Sequence, residues 1–182
     1  YGRIGMQTTG YNPRKRFPKN RLVPTENDTT FRKELLQGYV HDQGAAMANG
    51  VAGHAGLFAS ANDLAIYGQM LLNRGMYGGV RYFQPATVDL FTSRQSLTSR
   101  RGLGFDRYDM DVSKAYPSQL ANESVYGHTG FTGTCVWIDP KNQLVYIFLS
   151  NRVYPDVSNK LYDLNIRSRI QDAVYETINE AR

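Results

Sequence analysis

"GHTGFTGTCVWIDPKNQLVYIFLS", Gly127 to Ser150, carries the plainest structural pattern in the chain. Thr134, Val136 and Ile138 alternate with Cys135 and Trp137, the period of two by which successive strand side chains face opposite ways. Asp139-Pro140-Lys141-Asn142 then brings turn formers together, and Leu144 to Ser150 returns as a second extended run. The stretch reads as an antiparallel hairpin. Its second strand is apolar on both faces, which places it inside a sheet covered on both sides.

A helix from about Leu164 to Glu180 follows, with Ile166, Ile170, Ala173, Val174 and Ile178 on one stripe that would cover the hairpin. Upstream, Ser60 is an N-cap with Asp63 three residues on, in the manner of a capping box. Ala61, Leu64, Ala65, Gly68, Leu71 and Leu72 then form one helical face, with Arg74 in the last turn and Gly75 as the left-handed stop. Gly78-Gly79 reads as the turn of a small hairpin, and Pro85 opens a short helix through about Phe91. Arg101 to Asp106 reads as a short strand and Asp109 to Glu123 as an excursion loop. Thr30 to Gln37 reads as a short helix with Phe31, Leu35 and Leu36 on one side and Gly38 as its stop.

These elements make an α/β (α+β) chain: an antiparallel hairpin, a helix over it, and a small helical region. The 182 residues, 41% of them apolar, suffice for one core. We divide the single, partial domain into a loop-rich basic lead-in (1–40), a helical region (41–124), and the hairpin with its C-terminal helix (125–182). The opening at Tyr1 reads as the middle of a longer polypeptide.

The net charge of +5 is partly local, with Arg14, Lys15, Arg16, Lys19 and Arg21 crowded into "RKRFPKNR". No basic helix, zinc pattern or interleaved aromatic groove accompanies that run, so it reads as a solvated loop and not as a nucleic-acid site. The lone Cys135 excludes an internal disulfide framework and reads as a small buried hydrophobe. Trp137 and Phe148 read as core. No apolar run approaches the ~20 residues of a membrane span.

Three histidines, His41, His54 and His128, are the candidates for chemistry. Their spacing matches no metal motif, and no cofactor is expected. Asp42 either caps a turn beside His41 or lines a cleft with it. His54 either locks the loop before the Ser60 helix or lines the same cleft. Arg152 makes either a surface ion pair or an anion contact at the cleft edge. No serine sits in a G-x-S-x-G elbow. A second serine-hydrolase design combines S-x-x-K, a tyrosine or serine two before an asparagine, and a [K/H]-[T/S]-G strand. His128-Thr129-Gly130 fits the third element as it enters the hairpin. No serine here has a lysine three positions on. Thr30-Phe31-Arg32-Lys33 has the spacing without the serine, and Ser60-Ala61-Asn62 is better explained by the cap.

"VHDQGAAMANGVAGHAGLFASANDLAIYGQMLLNRGMYGG", "RGLGFD" and "GHTGFTGTCVWIDPKNQLVYIFLSNRV", in that order, resemble the C-terminal half of a serine β-lactamase-related domain, the family of class C β-lactamases, DD-peptidases and esterases. Within it, the chain is most similar to the domain fused to family 3 glycoside hydrolases of β-N-acetylhexosaminidase type in Bacteroides-like bacteria. The resemblance implies a partial β-lactamase/transpeptidase-like fold whose sheet and backing helix are completed by N-terminal elements, so the apolar sheet surface left open could pair with a second copy. It also implies that His128, Thr129 and Gly130 line the active-site edge and that the backbone N–H of Phe131 is one oxyanion donor. His41, Asp42, His54 and Arg152 would line the cleft. The substrate would be a small or peptidoglycan-derived ester or amide in the periplasm or cell envelope, and the serine nucleophile would lie outside these residues, leaving them inactive alone. The rival expectation is a non-catalytic binding or accessory module beside a hexosaminidase acting on peptidoglycan. Histidine in place of lysine removes the permanent positive charge that would hold a substrate carboxylate.

Overall fold

The structure, a computed structural model, describes residues 1–181. In chain order the elements are β1 (Pro24–Asp28), β2 (Glu34–Gln37), α1 (Gln43–Met47), α2 (Ala61–Leu72), β3 (Met76–Tyr77), β4 (Val80–Arg81), α3 (Pro85–Thr92), β5 (Asp106–Arg107), β6 (Tyr126–Thr129), β7 (Cys135–Asp139), β8 (Leu144–Phe148), α4 (Lys160–Asp163) and α5 (Ile166–Glu180). β1 pairs with β2 and β3 with β4 as separate ribbons, while β5-β6-β7-β8 form one antiparallel sheet. The mixed α/β class with antiparallel sheets is the one the sequence implies.

The alternation along β7 divides the core. Ile138 and Val136 face one side, where α2 lays Met70, Leu71 and Leu72 against them together with Tyr126 and Val88. Cys135 and Trp137 face the other, packed with Val125 and Tyr146 and covered by Val174 of α5. Gly68 lets α2 approach β8, since a Cβ there would lie 2.5 Å from Val145 Cγ1. The Ser60 cap forms as read, its hydroxyl accepting from the Asp63 N–H at 3.3 Å. Asp63 in turn accepts from the backbone and hydroxyls of Thr8 and Thr9, stitching the irregular lead-in to α2.

Four expectations are corrected. Glu34–Gln37 is a strand and not part of a helix: Asp28 accepts from the N–H groups of Thr30, Phe31 and Arg32, and this tight turn folds the segment back on β1. The run read as a strand from Arg101 reaches extended pairing only at Asp106 and Arg107. β8 is apolar on both faces because α2 and α5 cover both, yet it is the outer strand of the described sheet. On α5 the fully buried positions are Gln171 and Tyr175, while Ile170 is 41% exposed. The helix therefore turns a partly polar seam inward.

That seam closes on a buried carboxylate. Tyr175 donates to Asp139 Oδ2 at 2.8 Å, as do the side chains of Asn122 and Asn142, and the Asn142 N–H donates to Oδ1 at 3.1 Å. Burial alone would raise the Asp139 pKa, but these bonds together outweigh it and hold the group below its ordinary value of 3.8. Because the folded pKa is depressed, the stability it contributes is full above the ordinary carboxylate range and is lost as pH falls through the folded value. Asp139→Asn would point amide hydrogens at existing donors. We expect it to lower stability by about 1–3 kcal/mol at pH 7. It should also flatten the loss of stability below about pH 4, the range set by the ordinary carboxylate pKa. Urea unfolding at pH 7 and pH 3 measures both.

Candidate functional site

His128, Thr129 and Gly130 lie at the end of β6, with His128 opposite Val136 and Thr129 opposite Cys135. The pairing requires glycine at 127, where a Cβ would collide with the Val136 carbonyl oxygen and lie 2.8 Å from the Trp137 ring. Past the strand the chain closes a tight turn. The Gly133 N–H donates to the Gly130 carbonyl at 3.0 Å and the Gly130 N–H to the Thr134 carbonyl at 2.7 Å. Gly133 has φ +115°, open only to a residue without a side chain.

Arg152 holds this turn from below. Its Nε donates to the Phe131 carbonyl at 2.7 Å, its Nη1 to the Ser158 carbonyl at 3.2 Å, and its backbone N–H to the Thr132 carbonyl at 2.9 Å. The guanidinium also lies 4.4 Å from the centre of the Phe131 ring and 4.7 Å from that of Tyr162. Arg152 is buried and has no carboxylate partner among the described residues. His41 reaches the same place, its ring stacked on Phe131 with centroids 5.3 Å apart. Its Nδ1 lies 2.9 Å from Glu26 Oε1 but off the direction a hydrogen bond requires. The Phe131 N–H donates to no acceptor among the described residues, and the residue is 60% exposed.

Asp42 caps α1, accepting from the Ala45 N–H at 2.7 Å, and pairs with His54 Nε2 at 3.0 Å. Those two bonds hold its pKa below the ordinary value. Both side chains of the pair are exposed. Cys135 is buried, and burial pushes its thiol to about 11, so it is protonated at neutral pH.

One neighbour of His128 has no signal in the motif. Arg101 Nη1 lies 2.9 Å from His128 Nε2, and His128 Nδ1 lies 2.7 Å from the Thr129 carbonyl. A carbonyl only accepts, so Nδ1 carries the proton and Nε2 accepts from Arg101. Arg100, the preceding residue, grips Asp106 with two bonds of 2.7 and 3.0 Å and Asp109 at 2.8 Å, and lies 4.3 Å from the centre of the Tyr116 ring. Burial would raise the Asp106 pKa, but Arg100, Tyr116 and the Arg107 N–H keep it low. A cleft of about 400 Å³ opens beside this segment.

Residues 2–170 match the family described as Beta-lactamase. Proteins of Salmonella paratyphi B and Salmonella newport, each named "Putative D-alanyl-D-alanine carboxypeptidase", are 36% identical over 179 residues, covering 91% of this chain and 41% of their own. The chain thus spans about two fifths of the length of these curated relatives. A solved beta-lactamase structure from Mycobacterium bovis superposes with a TM-score of 0.55 at 22% identity, over 68% of this chain and 46% of that one, which shows a shared fold.

Replacing Arg152 by alanine would leave the Phe131 carbonyl without its donor and remove the surface under the Phe131 ring. We expect a loss of about 1.5–3 kcal/mol, the range for hydrogen bonds made by a charged group. Amide exchange across residues 130–134 should rise selectively, while exchange in β7 follows the global loss alone. Hydrogen–deuterium exchange resolves the two.

Proposed function

Because the chain belongs to the beta-lactamase family, we propose that it forms the oxyanion side of an acyl-transfer site acting on peptides that end in D-alanyl-D-alanine or on related envelope amides and esters. The observation that carries this reading is the Phe131 N–H. It follows His128-Thr129-Gly130 directly, has no acceptor of its own among the described residues, and belongs to a residue whose carbonyl is fixed by Arg152. A donor held in advance where negative charge develops stabilises a tetrahedral intermediate without reorganising at the moment of reaction.

The chemistry assigned to the whole protein is nucleophilic. A serine Oγ attacks the peptide carbonyl and loses its proton to a base, and the carbonyl electron pair moves to oxygen beside the Phe131 N–H. The C–N bond then breaks as the departing D-alanine takes up a proton, and water hydrolyses the resulting ester. No serine among the 182 residues has a lysine at the third position after it. We therefore place the nucleophile outside this sequence and read these residues alone as inactive. The names of the Salmonella proteins support the substrate class. Such substrates lie in the cell envelope, which is where we place the protein. Fusion to a family 3 glycoside hydrolase rests on the sequence resemblance alone.

In the whole protein, a fluorescent penicillin should label one serine, and a diacetylated tripeptide ending in D-Ala-D-Ala should release D-alanine. Phe131→Pro removes the N–H and should lower kcat by about 10²- to 10³-fold with little change in KM. Phe131→Ala keeps the N–H and should fall far less. A protein that takes no label and releases no D-alanine would instead be the accessory module.

A further inference from the structure

We propose that the basic turns of the lead-in, with Val23 and Tyr39 beside them, dock this protein on an anionic phospholipid surface. The inference does not rest on acyl transfer and uses none of the residues of the His-Thr-Gly edge.

Residues 1–25 hold six Lys and Arg and no Asp or Glu, whereas the other 15 cations of the chain face 16 carboxylates. The positive excess of the sequence is therefore concentrated in this segment. None of its cations makes an ion pair among the described residues. Arg16 is occupied with the Thr9 and Gln7 carbonyls. Lys15, Lys19 and Arg21 are exposed, and among the described residues their side chains donate no hydrogen bond.

The fold gathers these groups at one end of the β1–β2 ribbon. Gln37 Nε2 donates to the Lys19 and Leu22 carbonyls, tying the turn Lys19–Arg21 to the end of β2. The turn Pro13–Lys15 meets it at Gly38, where a Cβ would lie 2.8 Å from Arg14 Cγ and 2.5 Å from Leu22 Cδ1. The Arg14 guanidinium lies 4.8 Å from the centre of the Tyr39 ring. Pro24 stands opposite Gln37 at this end, while Asp28 stands opposite Glu34 at the other. The ribbon is thus electrically polarised, and Arg32 engages both Glu26 and Asp28.

Cations alone would suit any polyanion, and the side chains among them select a bilayer. Val23 is 70% exposed and Tyr39 44%, an apolar and an amphipathic group set beside the charges. Such groups enter the headgroup layer, where aromatic rings with a polar tip are favoured. A nucleic-acid base would need an open aromatic face, but Arg14 covers Tyr39 and Arg16 lies 5.1 Å from the centre of the Phe17 ring. Each Lys or Arg brought to an anionic leaflet raises partitioning about fivefold.

The test is sedimentation of the whole protein with vesicles of phosphatidylcholine alone or mixed equally with phosphatidylglycerol. Binding to the anionic vesicles should exceed that to the neutral ones by about 100-fold or more, and should vanish near 1 M salt, where the screening length falls to about 3 Å. Combining Lys15→Gln, Lys19→Gln and Arg21→Gln should leave a preference of only about fivefold, with the melting temperature unchanged. Combining Lys141→Gln, Lys160→Gln and Arg169→Gln removes the same charge from exposed side chains elsewhere and should keep the preference within about threefold of the wild type. Equal binding to the two vesicles, a preference that survives the lead-in variant, an equal loss from the control variant, or tighter binding to duplex DNA than to anionic vesicles would each overturn the proposal. Penicillin labelling is read on the same samples without vesicles, so acyl transfer and membrane docking stand or fall separately.

Discussion

Across the β6–β7 ladder, Gly127 stands opposite Trp137, and nothing larger than hydrogen fits at that position without meeting the Val136 carbonyl and the indole ring. This close approach sets everything around the candidate edge. It brings β6 to hydrogen-bonding distance of β7 while the full width of Trp137 stays in the core beneath α5, in edge-to-face contact with Tyr116. With the register fixed, Tyr126 and His128 must share the face of Ile138 and Val136, and Thr129 must share the face of Cys135. A slip of one residue would send Tyr126 out of the α2 cluster and bring His128 under α5. The position of the histidine therefore follows from a packing constraint one residue upstream of it.

The parts of the fold legible in the sequence are those where a local signal and the tertiary environment agree. The β7–β8 hairpin, the Ser60 cap and the Gly78-Gly79 turn each depend on residues within a few positions of one another. Where the deciding contact is distant, the sequence misleads. Phe31, Leu35 and Leu36 have helical spacing, but the turn built on Asp28 offers the backbone another set of hydrogen bonds, and Leu36 is buried from a strand. The isoleucines of α5 form a stripe by period. The helix nevertheless turns Tyr175 inward, where its hydroxyl donates to the buried Asp139 carboxylate. Continuous apolarity in β8 records two covered faces and says nothing of whether a neighbouring strand is present.

The site divides in the same way. His128-Thr129-Gly130 is readable because the motif and the strand it enters are contiguous. Arg152 stands out in sequence only as a charged residue after a strand, and a charged residue suggests a charged partner. What it meets are backbone carbonyls and two aromatic rings, which a planar, weakly hydrated guanidinium suits better than an ammonium. His41 joins the turn by stacking on Phe131 across ninety residues of chain, a distance over which composition and spacing are silent. Arg101 is hidden for the same reason, although the doublet Arg100-Arg101 just before a short strand is a signal of a kind. One member anchors to the carboxylate at the strand's start and leaves the other pointing along the sheet edge.

The chemistry of that doublet follows from how differently its two members are compensated. Arg100 is matched by two carboxylates and an aromatic face, and its pKa is raised accordingly, first by its bonds to Asp106. Its charge is neutralised locally and contributes little to the field outside. Arg101 is matched by the His128 ring and by a carboxylate 3.8 Å away, beyond hydrogen-bond distance. An exposed pair between such an arginine and one anion contributes at most about 1 kcal/mol in open solvent. The histidine then serves the arginine as much as the reverse: a neutral acceptor at Nε2 orients the guanidinium fork without cancelling its charge, as a carboxylate in that position would.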